Sequence, residues 1–207
     1  MVMKRWSIPL LLVMLLFIPG LSRAEKGFYI GTGFGLAVPY QSGDIIDEVD
    51  PGSGTSFEMI HLGYNFTDQW GVGLQYGAAA GPCDDFLGDD TMWGQGYLDL
   101  SMRRTWDKEN KALYGELGFG TYLYMFQDDD ESTFSSDPVV GYRIALGSNY
   151  YLGKWYLGPE VSYHWAQYSE GDYDVDKVGK WESDFDATGN MLLVQLKIGY
   201  HTGHQEK

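Results

Sequence analysis

The stretch "GFYIGTGFGLAV", residues 27–38, sorts its side chains into two sets. Gly31, Gly33 and Gly35 share one parity, whereas Phe28, Ile30, Phe34, Leu36 and Val38 share the other. A helix would scatter both sets around its circumference, but a strand sends successive side chains to opposite faces. The segment is therefore a strand with one apolar face and one nearly bare face. Glycine inside a strand weakens it unless something packs closely against the backbone. What packs there is the question this stretch sets for the rest of the chain.

Residues 1–24 begin with Lys4 and Arg5, continue as an apolar run and end in Ser22, Arg23 and Ala24. This is the layout of a secretory signal peptide, with cleavage expected after Ala24. Pro9 and Pro19 interrupt the run, which falls short of the roughly 18 to 20 apolar residues of a spanning helix. The remaining residues suit one domain, expected over 25–203, with a short polar tail at 204–207. The single cysteine, Cys83, excludes a disulfide framework and a thiolate metal site. The formal net charge is −15, and the leader carries no acid, so the rest is more acidic still. Nucleic acid is excluded as a partner on charge.

Eight alternating segments follow, near 27–40, 56–66, 70–80, 92–106, 113–126, 139–152, 155–168 and 190–201. Most exceed the roughly 9 to 11 residues a tilted strand needs to cross a bilayer. Short polar turns, "TDQ", "DKENKA" and "GK", alternate with long segments at 41–55, 80–91, 127–138 and 169–189. Tight turns at one end and long loops at the other describe an up-and-down outer-membrane barrel with periplasmic turns and extracellular loops. The predicted fold is all-β, an eight-stranded antiparallel up-and-down transmembrane β-barrel.

The faces agree. Leu192, Val194, Leu196, Ile198 and Tyr200 oppose Gln195, Lys197, Gly199 and His201; Ile60, Leu62, Tyr64 and Phe66 oppose His61, Gly63 and Asn65. A soluble sheet would carry many Lys, Glu and Thr on its polar face, with little Gly. An eight-stranded barrel has an interior just wide enough for side chains to fill. Bare positions at Gly31, Gly33, Gly35, Gly118, Gly120 and Gly147 make room for Tyr29, Tyr114, Tyr122, Tyr124 and Tyr151. Tyr40, Trp70, Trp93, Trp106, Trp155 and Trp165 lie near segment ends and fit interfacial girdles.

"KGFYIGTGFG", "LGYNFTDQWGVGLQYG" and "LYGELGFGTYLY" resemble the small outer-membrane β-barrels of the OmpA transmembrane and OmpX type. The likeness covers essentially the whole chain after the leader, and its motifs specify architecture rather than activity. It implies residence in the bacterial outer membrane, among outer-membrane lipid and lipopolysaccharide. Such barrels usually end in an aromatic residue, whereas here Tyr200 is followed by "HTGHQEK".

Inward parity collects Asp99, Glu116 and Glu160 against Arg103, Arg143 and Lys197, an expected network of lumen charges. An unpaired ion in a narrow lumen would cost several kcal/mol, so internal pairing is expected; an ion pathway is the alternative. Glu160, Ser162 and His164 hold the ingredients of nucleophilic hydrolysis on one strand face. Their backbone spacing, about 6.5 to 7 Å between same-face neighbours, is too long for a direct Ser–His hydrogen bond. The His-x-Ser-Asn pattern of lipid A deacylases is absent at His164, so no catalytic residue is expected. The long segments hold most of the 29 acidic residues. Asp128, Asp129, Asp130, Asp172, Asp174 and Asp176 form a candidate rim for weak divalent-cation binding by hard oxygen ligands, with solvated loops as the alternative. The EF-hand pattern fails, because Lys177 and Ser183 stand where glycine and a carboxylate are required. No cofactor is expected. Three functions remain open: a structural or surface-interaction barrel, a narrow pore, and a lipid A-modifying hydrolase.

Overall fold

A computed structural model describes residues 26–43, 50–84, 91–108, 111–127, 133–175 and 179–203. The expected leader and tail, together with Asp128, Asp129, Asp130 and Asp176, lie outside the described residues. Among the described residues, ten strands follow one another: β1 (Gly27–Gly43), β2 (Asp50–Pro51), β3 (Gly54–Asn65), β4 (Trp70–Asp84), β5 (Thr91–Lys108), β6 (Lys111–Gln127), β7 (Thr133–Ser136), β8 (Val139–Leu152), β9 (Trp155–Val175) and β10 (Gly179–His201).

All pairings are antiparallel, and β10 closes on β1 from Tyr29 opposite His201 to Gly43 opposite Ala187. Eight long strands thus form a closed ring, β1-β3-β4-β5-β6-β8-β9-β10. The short β7 sits between β6 and β9 above the start of β8, adding a ninth strand at the rim. It is in effect the upper part of β8, cut off at Asp137 and Pro138. Proline has no N–H to give to the ladder, while the Asp137 N–H turns to the Glu170 carbonyl at 2.9 Å. Closure leaves the spanning region without an edge, as a sheet in hydrocarbon requires.

At one end the described turns, after β3 and after β8, are tight, and Lys108 and Lys111 pair directly where β5 passes to β6. Thr67 Oγ accepts from the backbone N–H of Trp70 at 2.8 Å, pinning the turn between β3 and β4. Gly153, at φ +64°, supplies the left-handed residue in the connection from Leu152 to Trp155.

The longest expected loop, 169–189, is corrected: it is mostly strand. β9 and β10 continue as a hairpin, with Asp172 opposite Glu182 and Asp174 opposite Lys180. β7 extends this sheet on the other side of β9, with Thr133 opposite Asp174 and Ser135 opposite Asp172. Pairing satisfies the backbone of this segment, and Glu170 and Asp172 on it are exposed, so dense charge is compatible with a strand here.

The outward face is apolar and uncovered. Phe28 is 64% exposed and Leu152 74%, with Ile30, Phe34, Leu36, Leu100, Phe119 and Val140 also exposed between them. A belt of this extent has no place in water and matches a lipid-facing wall. Of the expected girdle, Tyr40, Trp155 and Trp165 are exposed. Trp93 is a correction: it is buried, and its indole N–H donates to the Gly52 carbonyl at 2.8 Å. An indole whose only polar atom is satisfied by the Gly52 carbonyl, just after β2, has no reason to seek a headgroup.

Candidate functional site in the barrel lumen

The lumen is packed in two tiers. Towards the long-loop end lie Trp93, Tyr97, Tyr122, Tyr124, Phe126, Phe134 and Tyr168, buried together with Ala37, Ala166, Met191 and Leu193. Cys83 is buried in the same cluster. Towards the turn end lie the charges.

Glycines hold these bulky residues in register. Tyr29 stands opposite Gly63, Tyr97 opposite Gly77, Tyr114 opposite Gly147 and Tyr156 opposite Gly199. In every pair a Cβ on the glycine would collide with the tyrosine ring or hydroxyl. Each tyrosine lays its hydroxyl end over a bare patch of neighbouring strand, a favourable cross-strand pairing. Of the six glycines expected to make room for tyrosines, Gly147 lies beneath Tyr114 and Gly31 beside the Tyr156 hydroxyl, whereas none of the three nearest atoms at Gly33, Gly35, Gly118 or Gly120 belongs to a tyrosine.

Gly33 answers the opening question. It lies opposite Lys197 on one side and Glu58 on the other. A Cβ there would sit 2.7 Å from Lys197 Cδ. Its absence lets the lysine stem cross β1 and place Nζ against Glu58.

All six lumen charges expected from parity are buried. Five of them join one network. Glu116 is its centre: Arg103 Nε donates to one oxygen, while Arg143 Nη1 at 2.7 Å and Gln75 Nε2 at 2.6 Å donate to the other. Glu160 accepts from Arg143 Nη2 at 2.6 Å and from the Tyr114 hydroxyl at 2.9 Å. Lys197 Nζ lies 3.2 Å from Glu160 and bonds Glu58. The Arg103 guanidinium is also stacked between rings, 4.3 Å from the Tyr29 centroid and 4.1 Å from that of Tyr114. His61 Nε2 accepts from Arg103 Nη2 at 2.9 Å. Its proton therefore sits on Nδ1, which faces Glu58 at 3.5 Å. Three carboxylates face three cations, with every cation sharing or bridging partners. That arrangement repays the desolvation of buried ions, where isolated ones would not.

Glu58 is the residue that parity missed. It shares parity with the outward Ile60 and Leu62, yet it is buried beside His61. β3 carries an extra residue between Glu58 and Ile60, seen against both neighbouring strands. This β-bulge turns Met59 and Ile60 both away from the lumen and brings Glu58 inward. The Thr32 hydroxyl donates to the Glu58 carbonyl at the same place. A signal was present in the sequence: apolar parity changes from Phe57 and Met59 to Ile60, Leu62 and Tyr64.

Asp99 belongs elsewhere. The Tyr122 hydroxyl donates to it at 3.0 Å and lies 3.1 Å from His164 Nδ1. His164 Nε2 in turn lies 3.1 Å from Ser162 Oγ. The expectation that Ser162 and His164 are too far apart is therefore corrected. Backbone spacing sets where side chains begin, not where they end, and an imidazole leaning along the strand closes the gap. Donors and acceptors run in one direction, from Ser162 through His164 and Tyr122 to Asp99. All four are buried.

Asp172 and Asp174 lie on β9 within the hairpin above the rim, Asp172 exposed. Among the described residues, no three His, Cys, Asp or Glu side chains converge to hold a metal ion.

The outer membrane protein beta-barrel domain family matches residues 8–179. The chain belongs to that family. It resides in the bacterial outer membrane, and among solved structures it is similar to two small barrels. OprG from Pseudomonas aeruginosa superposes at a TM-score of 0.58 with 17% identity, covering 87% of this chain and 98% of that one. Neisserial surface protein A superposes at 0.54 with 15% identity, covering 83% and 96%. The outer membrane protease OmpT from Escherichia coli reaches only 0.43 at 10% identity, over 86% and 94%. The likenesses to OprG and Neisserial surface protein A establish the barrel fold. No match was found among curated protein sequences.

Proposed function

We propose that this outer-membrane barrel is sealed and non-catalytic, and that it acts through its surface as a structural or surface-interaction protein. The observation that carries this reading is the Glu116 carboxylate, bonded by Arg103, Arg143 and Gln75 from three different strands and linked through Arg143 and Glu160 to Lys197 on β10 and Glu58 on β3. A solvated ion would have to break several charge-assisted bonds to pass, each stronger than a neutral one. The aromatic tier stands above it in series. Refolded protein in planar bilayers is expected to give no discrete current steps. Steady unitary conductance would overturn the reading and favour a narrow pore.

The Ser162–His164–Tyr122–Asp99 chain is the one observation that favours a hydrolase. A nucleophile must reach an acyl carbonyl, and Ser162 is only 2% exposed inside the plug. Expression of the wild type and of Ser162→Ala is expected to leave the same lipid A mass spectrum. Loss of an acyl chain with the wild type alone would install the enzyme instead.

A further inference from the structure

Among residues whose side chains are described, the outer wall carries its charges asymmetrically along the barrel axis. Among residues whose side chains are described, the basic ones outside the lumen are Lys26, Arg104, Lys111 and Lys154, all at the turn end. At the opposite end Asp137, Glu170 and Asp172 are exposed, whereas at the turn end Asp68 is the one exposed acid among the residues whose side chains are described. Short turns mark the periplasmic side, so the cations stand at the inner leaflet.

Lys111 and Lys154 frame one contiguous part of that rim. Lys111 stands opposite Tyr150 across β6 and β8, with its Nζ 5.0 Å from the Tyr150 ring centroid. Leu152 stands opposite Trp155 across the β8–β9 turn that carries Lys154. Tyr150, Leu152 and Trp155 are all exposed, with Leu113 and Leu157 exposed on the adjoining wall. Trp155 and Tyr200 meet edge-on at 5.6 Å between centroids, fixing the indole at the rim. Two exposed cations therefore flank aromatic rings suited to headgroup depth, above a leucine surface suited to an acyl chain.

We infer that this patch is a binding site for an anionic phospholipid of the periplasmic leaflet, its phosphate held between Lys111 and Lys154 and an acyl chain lying against Leu113, Leu152 and Leu157. Phosphates of the opposite leaflet are too far away to serve, since they lie a bilayer thickness from this rim. The inference is independent of whether the lumen conducts.

The test is native mass spectrometry of the full barrel folded in detergent, titrated with phosphatidylglycerol or with phosphatidylcholine of the same acyl chains. A basic residue near a membrane surface favours anionic lipid by roughly fivefold, so a preference for phosphatidylglycerol of about tenfold or more is expected. Lys111→Gln with Lys154→Gln should bring the two lipids to parity while the folded form still migrates differently from the boiled form on a gel. Lys26→Gln should leave the preference intact. No preference in the wild type, a preference that survives the double substitution, or equal loss on Lys26→Gln would each overturn the site.

Discussion

Replacing Glu116 by glutamine tests the central claim about the lumen most directly. The carboxylate presents one oxygen to Arg103 and the other to Arg143 and Gln75. The amide keeps one acceptor but puts an NH2 against a guanidinium or against the Gln75 amide, so donor meets donor. The balance of three carboxylates and three cations becomes two against three. Arg143 retains Glu160, but Arg103 keeps only the neutral His61 ring and the faces of Tyr29 and Tyr114. Breaking a buried pair by removing one partner costs about 3–5 kcal/mol. Urea titration of the barrel in lipid vesicles, followed by gel mobility before and after boiling, should show Glu116→Gln destabilised by about that amount. Adding Arg103→Met to Glu116→Gln restores two against two, so the double variant should cost less than the sum of the single ones, with a coupling of about 1 kcal/mol or more. A single-variant cost under about 1 kcal/mol, or additivity in the cycle, would refute the account of a mutually compensated network.

Gly33→Val should obstruct the stem of Lys197 and part it from Glu58, destabilising the barrel by several kcal/mol, whereas Gly33→Ala should cost less because the stem can shift; the same urea titration separates the two. Deleting Met59 removes the extra residue of the bulge. Either Glu58 then faces lipid and Lys197 loses its partner, or the upper part of β3 slips register; both should sharply lower the folded fraction in a refolding assay. Nitroxide labels at Leu100 and Leu196 should relax readily with membrane-dissolved oxygen, and a label at Gln195 should not, because the first two face outward and the third is buried.

The architecture was legible in the sequence because a strand has a period of two and a bilayer rewards one parity with lipid. Leu192 to Tyr200 against Gln195 to His201 is enough to assign inside and outside, and the six inward charges follow from it. The periodicity could also show that glycine makes room for tyrosine. It could not show which glycine lies beneath which ring, since that depends on register across strands far apart in the chain, as with Tyr156 and Gly199.

Three features were decided only by tertiary structure. The bulge at Met59 inverts parity, and its energetic reason is Lys197, 139 residues from Glu58, which needs that carboxylate beside Gly33. The Ser162–His164 contact depends on side-chain direction, which strand spacing does not fix. The hairpin over 169–189 pairs β9 with β10 and is bordered on the far side of β9 by β7, although its charge reads as loop. Sequence periodicity records what each residue faces, because that is a local choice between two sides. Which residue it faces depends on closure of the ring, where β10 returns to β1 and brings opposite ends of the chain into contact.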